Sequence, residues 1–184
     1  YKKVESDILI FDHLVRFDQD TARNGEFASQ YWDSLQPLLR DRSQRVTWIH
    51  QFVKTSDKQS PKDAQAILSS INSRSKQQHF LLECRPSLRA LKQTLHDYYK
   101  LLSVVFKTGQ IAECFSLADS QLNLWPLFRD EWYDSLVGST AVRHLLILTT
   151  TEEMLSKTPH CKTGIYLMEN QPWEIALLQG WSAN

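Results

Sequence analysis

Residues 163–181, TGIYLMENQPWEIALLQGW, decide how the rest of the chain is read. Ile165, Tyr166, Leu167 and Met168 form a short continuous apolar run after Gly164 and before polar residues. That is the pattern of a strand buried on both faces, and such strands belong to mostly parallel sheets. Gln171 can cap a following helix, Pro172 can take its first position and Glu174 its third, where a carboxylate meets the positive end of the helix dipole. Trp173, Ala176, Leu177, Gly180 and Trp181 then share one helical face. The stretch reads strand, tight polar turn, helix, with Glu169, Asn170 and Gln171 in the turn. Ligands of open α/β sheets bind at the carboxyl ends of strands, so this polar turn is the first candidate for a site.

The same pattern recurs upstream. Residues 7–14, DILIFDHL, predict a first strand with Ile8 to Phe11 as its buried run and Asp12 and His13 near its carboxyl end. Residues 46–53, VTWIHQFV, predict a second strand and residues 79–83, HFLLE, a third. After the first strand comes a loop, RFDQDTARNGEF, with the turn signal Asn24-Gly25. It leads into a predicted helix on which Phe27, Tyr31, Leu35, Leu38 and Leu39 share a face. Pro37, inside that pattern, must kink the helix or begin a new turn. Between the second and third strands, Ser60, Pro61 and Asp63 supply a helix start, and Ala64, Ile67, Leu68 and Ile71 follow at helical spacing.

Beyond residue 83 the period lengthens. Leu88, Leu91, Leu95, Tyr98, Leu102 and Val105 alternate steps of three and four, predicting a long helix with a narrow apolar seam that ends near Thr108-Gly109. The heptads are too few for a convincing coiled coil, so the seam is expected to lie across its own domain, with a coiled coil as the alternative. Residues 110–158 read as helical with breaks near Pro126 and Gly138, and HLLILTTT at 144–151 is taken as helix. The expected architecture is α/β, a parallel sheet of about four or more strands in one domain over 1–184, with a large helical insertion at about 85–160 before the last strand.

Composition narrows the chemistry. A chain of 184 residues, 42% hydrophobic and 11% aromatic, is ample for one packed core. Twenty-one basic and 21 acidic residues leave no net charge, which argues against a nucleic-acid binder relying on long-range attraction. Cys84, Cys114 and Cys161 are odd in number and widely spaced, as in a reducing cytoplasm rather than a disulfide scaffold or a zinc site. No apolar stretch approaches the roughly 20 residues that span a bilayer. The start at Tyr1 and the stop at Asn184 suggest an excerpt from a longer protein.

The five glycines, at 25, 109, 138, 164 and 180, form neither a dinucleotide fingerprint nor a phosphate loop. The six histidines show no metal-ligand spacing, so no metal is expected. Polar groups at strand ends remain: Asp12 with His13 after the first strand, His50 on the second, and Glu169, Asn170 and Gln171 after the fourth. A carboxylate there could act as general base toward a hydroxyl, Asp12 less readily than Glu169, with amides binding sugar hydroxyls and Trp173 or Trp32 offering a stacking face. The bland alternative has Glu169 and Glu174 capping a helix, Asn170 holding a turn and both tryptophans in the core.

Two stretches carry more than periodicity. NGEFASQYWDSL at 24–35, followed by VTWIHQFV, and GIYLMENQPWEIALLQGW at 164–181 resemble the bacterial surface carbohydrate biosynthesis family, which is similar to sugar transferases of the two-Rossmann-domain type in capsule and lipopolysaccharide assembly. The resemblance implies a Rossmann-like fold and makes Gly25, Phe27, Ser29, Tyr31, Trp32, Glu169, Asn170, Gln171, Trp173 and Glu174 signature positions. Together with Asn24 and His50, most of these are the expected substrate-binding residues. It implies an N-terminal, acceptor-side domain at the cytoplasmic side, with a nucleotide sugar held by a second domain absent from this sequence. It also implies a carbohydrate acceptor; if that is carried on lipid, peripheral association with the inner membrane follows. A noncatalytic interaction module of the same pathway, using the Leu88 to Val105 seam, is the alternative.

Overall fold

The computed structural model describes residues 5–40, 44–56, 60–84, 86–105, 111–116, 122–158 and 160–183. It is α/β, with strands β1 (Ile8–His13), β2 (Val46–Gln51), β3 (Gln78–Leu81) and β4 (Thr163–Tyr166) in an all-parallel sheet ordered β3-β2-β1-β4. Around them run helices α1 (Gln19–Arg23), α2 (Leu35–Arg40), α3 (Pro61–Asn72), α4 (Leu88–Val105), α5 (Trp125–Val137), α6 (Ser139–Ser156) and α7 (Pro172–Ser182). This is the expected Rossmann-like sheet with a helical insertion before the last strand. The chain divides into two compact units, one of residues 1–86 with 151–184 and one of 87–150.

In the first unit, β1 and β2 are buried along nearly their whole length, and their register sets Ile10 beside Trp48 and Asp12 beside His50. Residues two apart share a sheet face, so Ile8, Ile10 and Asp12 form one face with Trp48 and His50. There they meet Ala22 of α1 and Ala64, Leu68 and Ile71 of α3 in one apolar cluster with Phe27 and Trp32. α3 starts as expected: Asp63 Oδ2 accepts from the Ser60 N–H at 2.9 Å, the Ser60 hydroxyl accepts from the Asp63 N–H at 3.3 Å, and Pro61 fills the first position. α7 also starts as expected at Pro172, and it buries Trp173, Ala176, Leu177 and Gly180, while Trp181 is half-buried.

Several expectations are corrected. The loop after β1 contains the short helix α1, which Asp18 caps by accepting the N–H groups of Asp20 and Thr21. No helix runs from Phe27 to Leu39. Residues 26–34 form an irregular strap, bridged at Ser29 to Phe17, and α2 begins only at Leu35. Pro37 therefore lies in a first turn, where its missing N–H leaves no bond unmade. β2 ends at Gln51 because the Phe52 N–H is taken by the Glu83 carboxylate at 3.0 Å. β3 runs over 78–81 rather than 79–83, since Leu82–Cys84 turn into a 3-10 helix. β4 was expected to be buried on both faces; as the edge strand it is exposed or half-buried, and Leu167 and Met168 lie beyond it.

The second unit is helical. HLLILTTT is helix within α6, the break near Pro126 is the start of α5, and Gly138 separates α5 from α6. Phe115, Trp125 and Trp132 pack ring to ring at 5.2–6.3 Å. On α4 only Ala90 and Thr94 are buried; the Thr94 hydroxyl lies 2.8 Å from that of Thr149, and the Tyr98 hydroxyl donates to the Val137 carbonyl at 2.6 Å. Half of the apolar seam faces out: Leu88 is 78% and Leu95 58% exposed and Leu91 is exposed with them, while Tyr98, Leu102 and Val105 are half-buried. Ala90 and Thr94 occupy the opposite arc of the helix and allow close approach there, which leaves Leu88, Leu91 and Leu95 to solvent. The predicted end at Thr108-Gly109 lies outside the described residues.

Candidate functional site at the carboxyl edge of the sheet

The strand order reverses between β1 and β4: from β1 the chain adds β2 and β3 on one side, then returns to place β4 on the other. Parallel strands with such a reversal leave a crevice at their carboxyl ends, between β1 and β4. His13 closes β1, and the turn after β4 delivers Glu169 to it, with His13 Nε2 3.4 Å from Glu169 Oε2. The Glu169 side chain is 37% exposed and that of His13 18%, so the carboxylate is the member open to solute. The His13 ring stands edge-on to Trp173 at 5.6 Å, and Trp173 stands edge-on to Tyr166 at 6.1 Å. Among the described residues, His13 Nδ1 and Trp173 Nε1 are both buried without a hydrogen-bond partner.

Local chemistry holds this turn. Glu174 is buried, and its Oε1 accepts the N–H of Glu169 at 2.7 Å and of Gln171 at 3.0 Å. It is a cap that fixes the backbone. Asn170 sits at φ +57°, a left-handed conformation that asparagine tolerates better than most residues. With the backbone turned there, Glu169 is directed toward His13 while Asn170 and Gln171 stay exposed. Gly164 allows the Trp181 ring to lie on β4, because a Cβ there would fall 2.9 Å from it; Gly180 does the same for Leu155 of α6.

The structure sets Glu169 and Trp173 against His13, with Asn170 and Gln171 exposed on the same turn and Glu174 holding that turn. It places Asp12, Trp32 and His50 together elsewhere, buried on the opposite sheet face. Asp12 Oδ1 accepts from Trp32 Nε1 at 3.0 Å, and Asp12 Oδ2 lies 3.5 Å from His50 Nδ1. His50 Nε2 and His79 Nδ1 are 3.0 Å apart. Asp12 Oδ2 and His50 Nδ1 are in contact without forming a hydrogen bond, whereas the His50–His79 contact needs one ring nitrogen to donate and the other to accept. Burial first, then the neighbouring His50, pushes His79 well below the usual histidine range, so this ring is neutral. Trp48, His50 and His79 stack with near-parallel planes under Phe27.

The remaining sequence candidates belong to the strap. The Ser29 N–H donates to Gln36 Oε1, and the Ser29 hydroxyl accepts from the Tyr31 N–H; the Arg16 guanidinium lies 5.7 Å over the Tyr31 ring. Asn24 and Gly25 lie at the other end of the strap, toward the amino edge of the sheet. The residue missed from sequence is His79; His13 was named with Asp12 at the end of the first strand, without its partner Glu169. Period-two alternation already separated His13 from Asp12, but its partner across the switch point required the β1–β4 pairing.

Among the described residues no group of three or more His, Cys, Asp or Glu could hold a metal ion, and no helix is long and apolar enough to cross a membrane. No family model, curated protein or solved structure matches the chain.

Proposed function

We infer that this chain is the acceptor-side half of a glycosyltransferase that builds bacterial surface polysaccharide. The observation that carries the reading is the exposed Glu169 carboxylate held against His13 at the switch point of the sheet. In the proposed step an acceptor hydroxyl loses its proton to Glu169 as its oxygen forms a bond to the anomeric carbon of a nucleotide sugar. The bond from that carbon to the diphosphate breaks, and the nucleoside diphosphate leaves with the electron pair. His13 acts as a positioning residue, its Nε2 in contact with the carboxylate at 3.4 Å. Asn170 and Gln171, exposed on the same turn, bind the remaining sugar hydroxyls in this reading, and buried Trp173 backs the His13 ring. The nucleotide sugar is assigned to a further domain, and an acceptor carried on lipid would bring the protein to the inner face of the bacterial inner membrane. The motif resemblance described above points the same way.

Ligand-detected NMR against a panel of neutral mono- and oligosaccharides tests the acceptor half directly. Saccharide signals are expected to show saturation transfer that Glu169→Gln together with Asn170→Gly weakens. A folded protein that transfers saturation to no saccharide would overturn the reading.

A second reading has its own observation. Leu88, Leu91, Leu95 and Tyr99 line one exposed stripe of α4, the composition of a protein-docking helix. In that case the chain is a noncatalytic module, and the carboxyl edge binds no sugar.

A further inference from the structure

A cavity of about 580 Å³ opens at the amino edge of the sheet, lined in part by Phe27, Arg40, Arg45, Arg74, Lys76 and Gln77. Arg45 immediately precedes β2 and Gln77 immediately precedes β3, whereas Glu169 follows the carboxyl end of β4. The six residues of β1 span the distance between these edges, about 20 Å at strand rise. The cavity is therefore separate from the carboxyl-edge crevice.

Its four cations are not equally committed. Arg45 is held by Asp7 at 3.2 Å and by Glu5. The Arg45 hydrogen bond lowers the Asp7 carboxyl, and Asp7 in turn raises the Arg45 guanidinium. Arg40 lies 3.6 Å from Glu26 and donates to the Phe27 carbonyl at 3.1 Å. Arg74 and Lys76 have no carboxylate partner among the described residues, so two positive charges remain uncompensated.

Arg74 is also held in place. Gly25 adopts φ +81°, and a Cβ there would fall 2.5 Å from Arg74 Cδ and 2.6 Å from its Cβ. The glycine thus makes the bed on which the arginine stem lies, and Arg74 Nη1 donates to the Asn24 carbonyl at 3.2 Å. Gln77 is oriented as well. Its Oε1 accepts from Trp48 Nε1 at 2.7 Å, which leaves its amide nitrogen as a donor. Buried Phe27 and Leu39 supply an apolar wall.

We propose that this cleft binds the dianionic phosphate group of a phosphomonoester. Arg74 and Lys76 match its two charges, the guanidinium fork fits phosphate oxygens bidentately, and Gln77 adds a neutral donor. The cavity is much larger than a phosphate group, so the apolar wall takes the organic part of the ligand. Phosphate of this kind is carried either by a soluble phosphoester or by a lipid headgroup.

Isothermal titration calorimetry of the whole chain at low ionic strength, with phenyl phosphate and with inorganic phosphate, is the test. Phenyl phosphate is expected to bind saturably and more tightly than inorganic phosphate. Affinity should fall roughly tenfold or more in Arg74→Gln and in Lys76→Gln, both exposed positions where folding is retained. Gly25→Ala, which displaces the Arg74 stem, should lower affinity as well. Co-sedimentation with phosphatidic acid vesicles, lost in the same two glutamine variants, assigns the phosphate to a lipid; phenyl phosphate binding without co-sedimentation assigns it to a soluble molecule. Either absence of saturable binding up to about 10 mM or affinity unchanged in both variants overturns the proposal.

Discussion

Asp12 and His13, adjacent at the end of β1, project to opposite faces of the sheet, and each meets a partner of the complementary kind. Asp12 lies 3.5 Å from His50 and His13 3.4 Å from Glu169. The two carboxylate–imidazole pairs are alike in distance and residue type and differ in what surrounds them. Asp12 and His50 are sealed beneath Phe27, Trp32 and Trp48 with their neighbour His79, out of reach of any solute. The pair of His13 and Glu169 stands at a topological switch point with its carboxylate open to water. Burial, rather than residue type, separates a structural network from a group that can exchange a proton with a ligand.

Removing each carboxylate in turn is the sharpest way to break this contrast. Glu169→Gln should lower turnover by about 10²–10⁴-fold in a protein that completes the reaction, the usual contribution of a general base, while the melting temperature stays put. Steady-state kinetics alongside thermal unfolding reads both at once, and full activity in the variant removes Glu169 from the chemistry. The opposite outcome is expected on the sealed face. Asp12→Ala strands the buried Trp32 N–H, which should cost about 2 kcal/mol of stability, the scale for leaving a buried donor without its acceptor. Urea unfolding measures that loss, and a loss below about 1 kcal/mol would mean that the network is held by packing alone.

Acid sharpens the same comparison. His79 is held well below its ordinary value by burial and His50, so the folded state keeps it neutral where an unfolded chain protonates it. Its contribution to stability is complete above about pH 6.5, the unfolded value, and is lost as pH falls below that, at about 1.4 kcal/mol per pH unit until the folded ring also takes a proton. Chemical unfolding at several pH values between about 7.5 and 5 should show this slope. In His79→Gln the slope should shrink by one proton; an unchanged slope would assign it to other groups.

Much of this was legible in the residues. The order of strands and helices followed from the strand patterns at 8–11, 46–53 and 165–168 and from helix starts at Ser60-Pro61 and Gln171-Pro172, because local propensity and pattern agree there. The strap at 26–34 was misread as helix, since Phe27 and Tyr31 fall at helical spacing while their burial comes from the sheet face and from Arg16. The site was half legible. Glu169 and its turn follow from the strand-to-helix pattern, but the sequence cannot show that β4 pairs with β1 rather than with β3, and that pairing is what brings Glu169 to His13. His50 and His79 were obscured in another way. A histidine in a strand carries no mark of burial until its neighbours are known.

The smallest expected effect tests how much the turn itself contributes. Asn170 is in the left-handed region at φ +57°, one residue after Glu169, so a side chain that resists this conformation pulls directly on the position of the carboxylate. Asn170→Ala should cost about 1 kcal/mol, the lower end of the penalty for an ordinary residue there, whereas Asn170→Gly should be close to neutral because glycine adopts the conformation freely. The thermal midpoints of the two variants measure the difference. If the turn merely connects β4 to α7, the alanine variant loses stability and keeps its sugar affinity. If it aims Glu169 at the crevice, the alanine variant loses affinity while the glycine variant retains what Asn170 does not itself bind, since Glu174 still holds the N–H groups on either side.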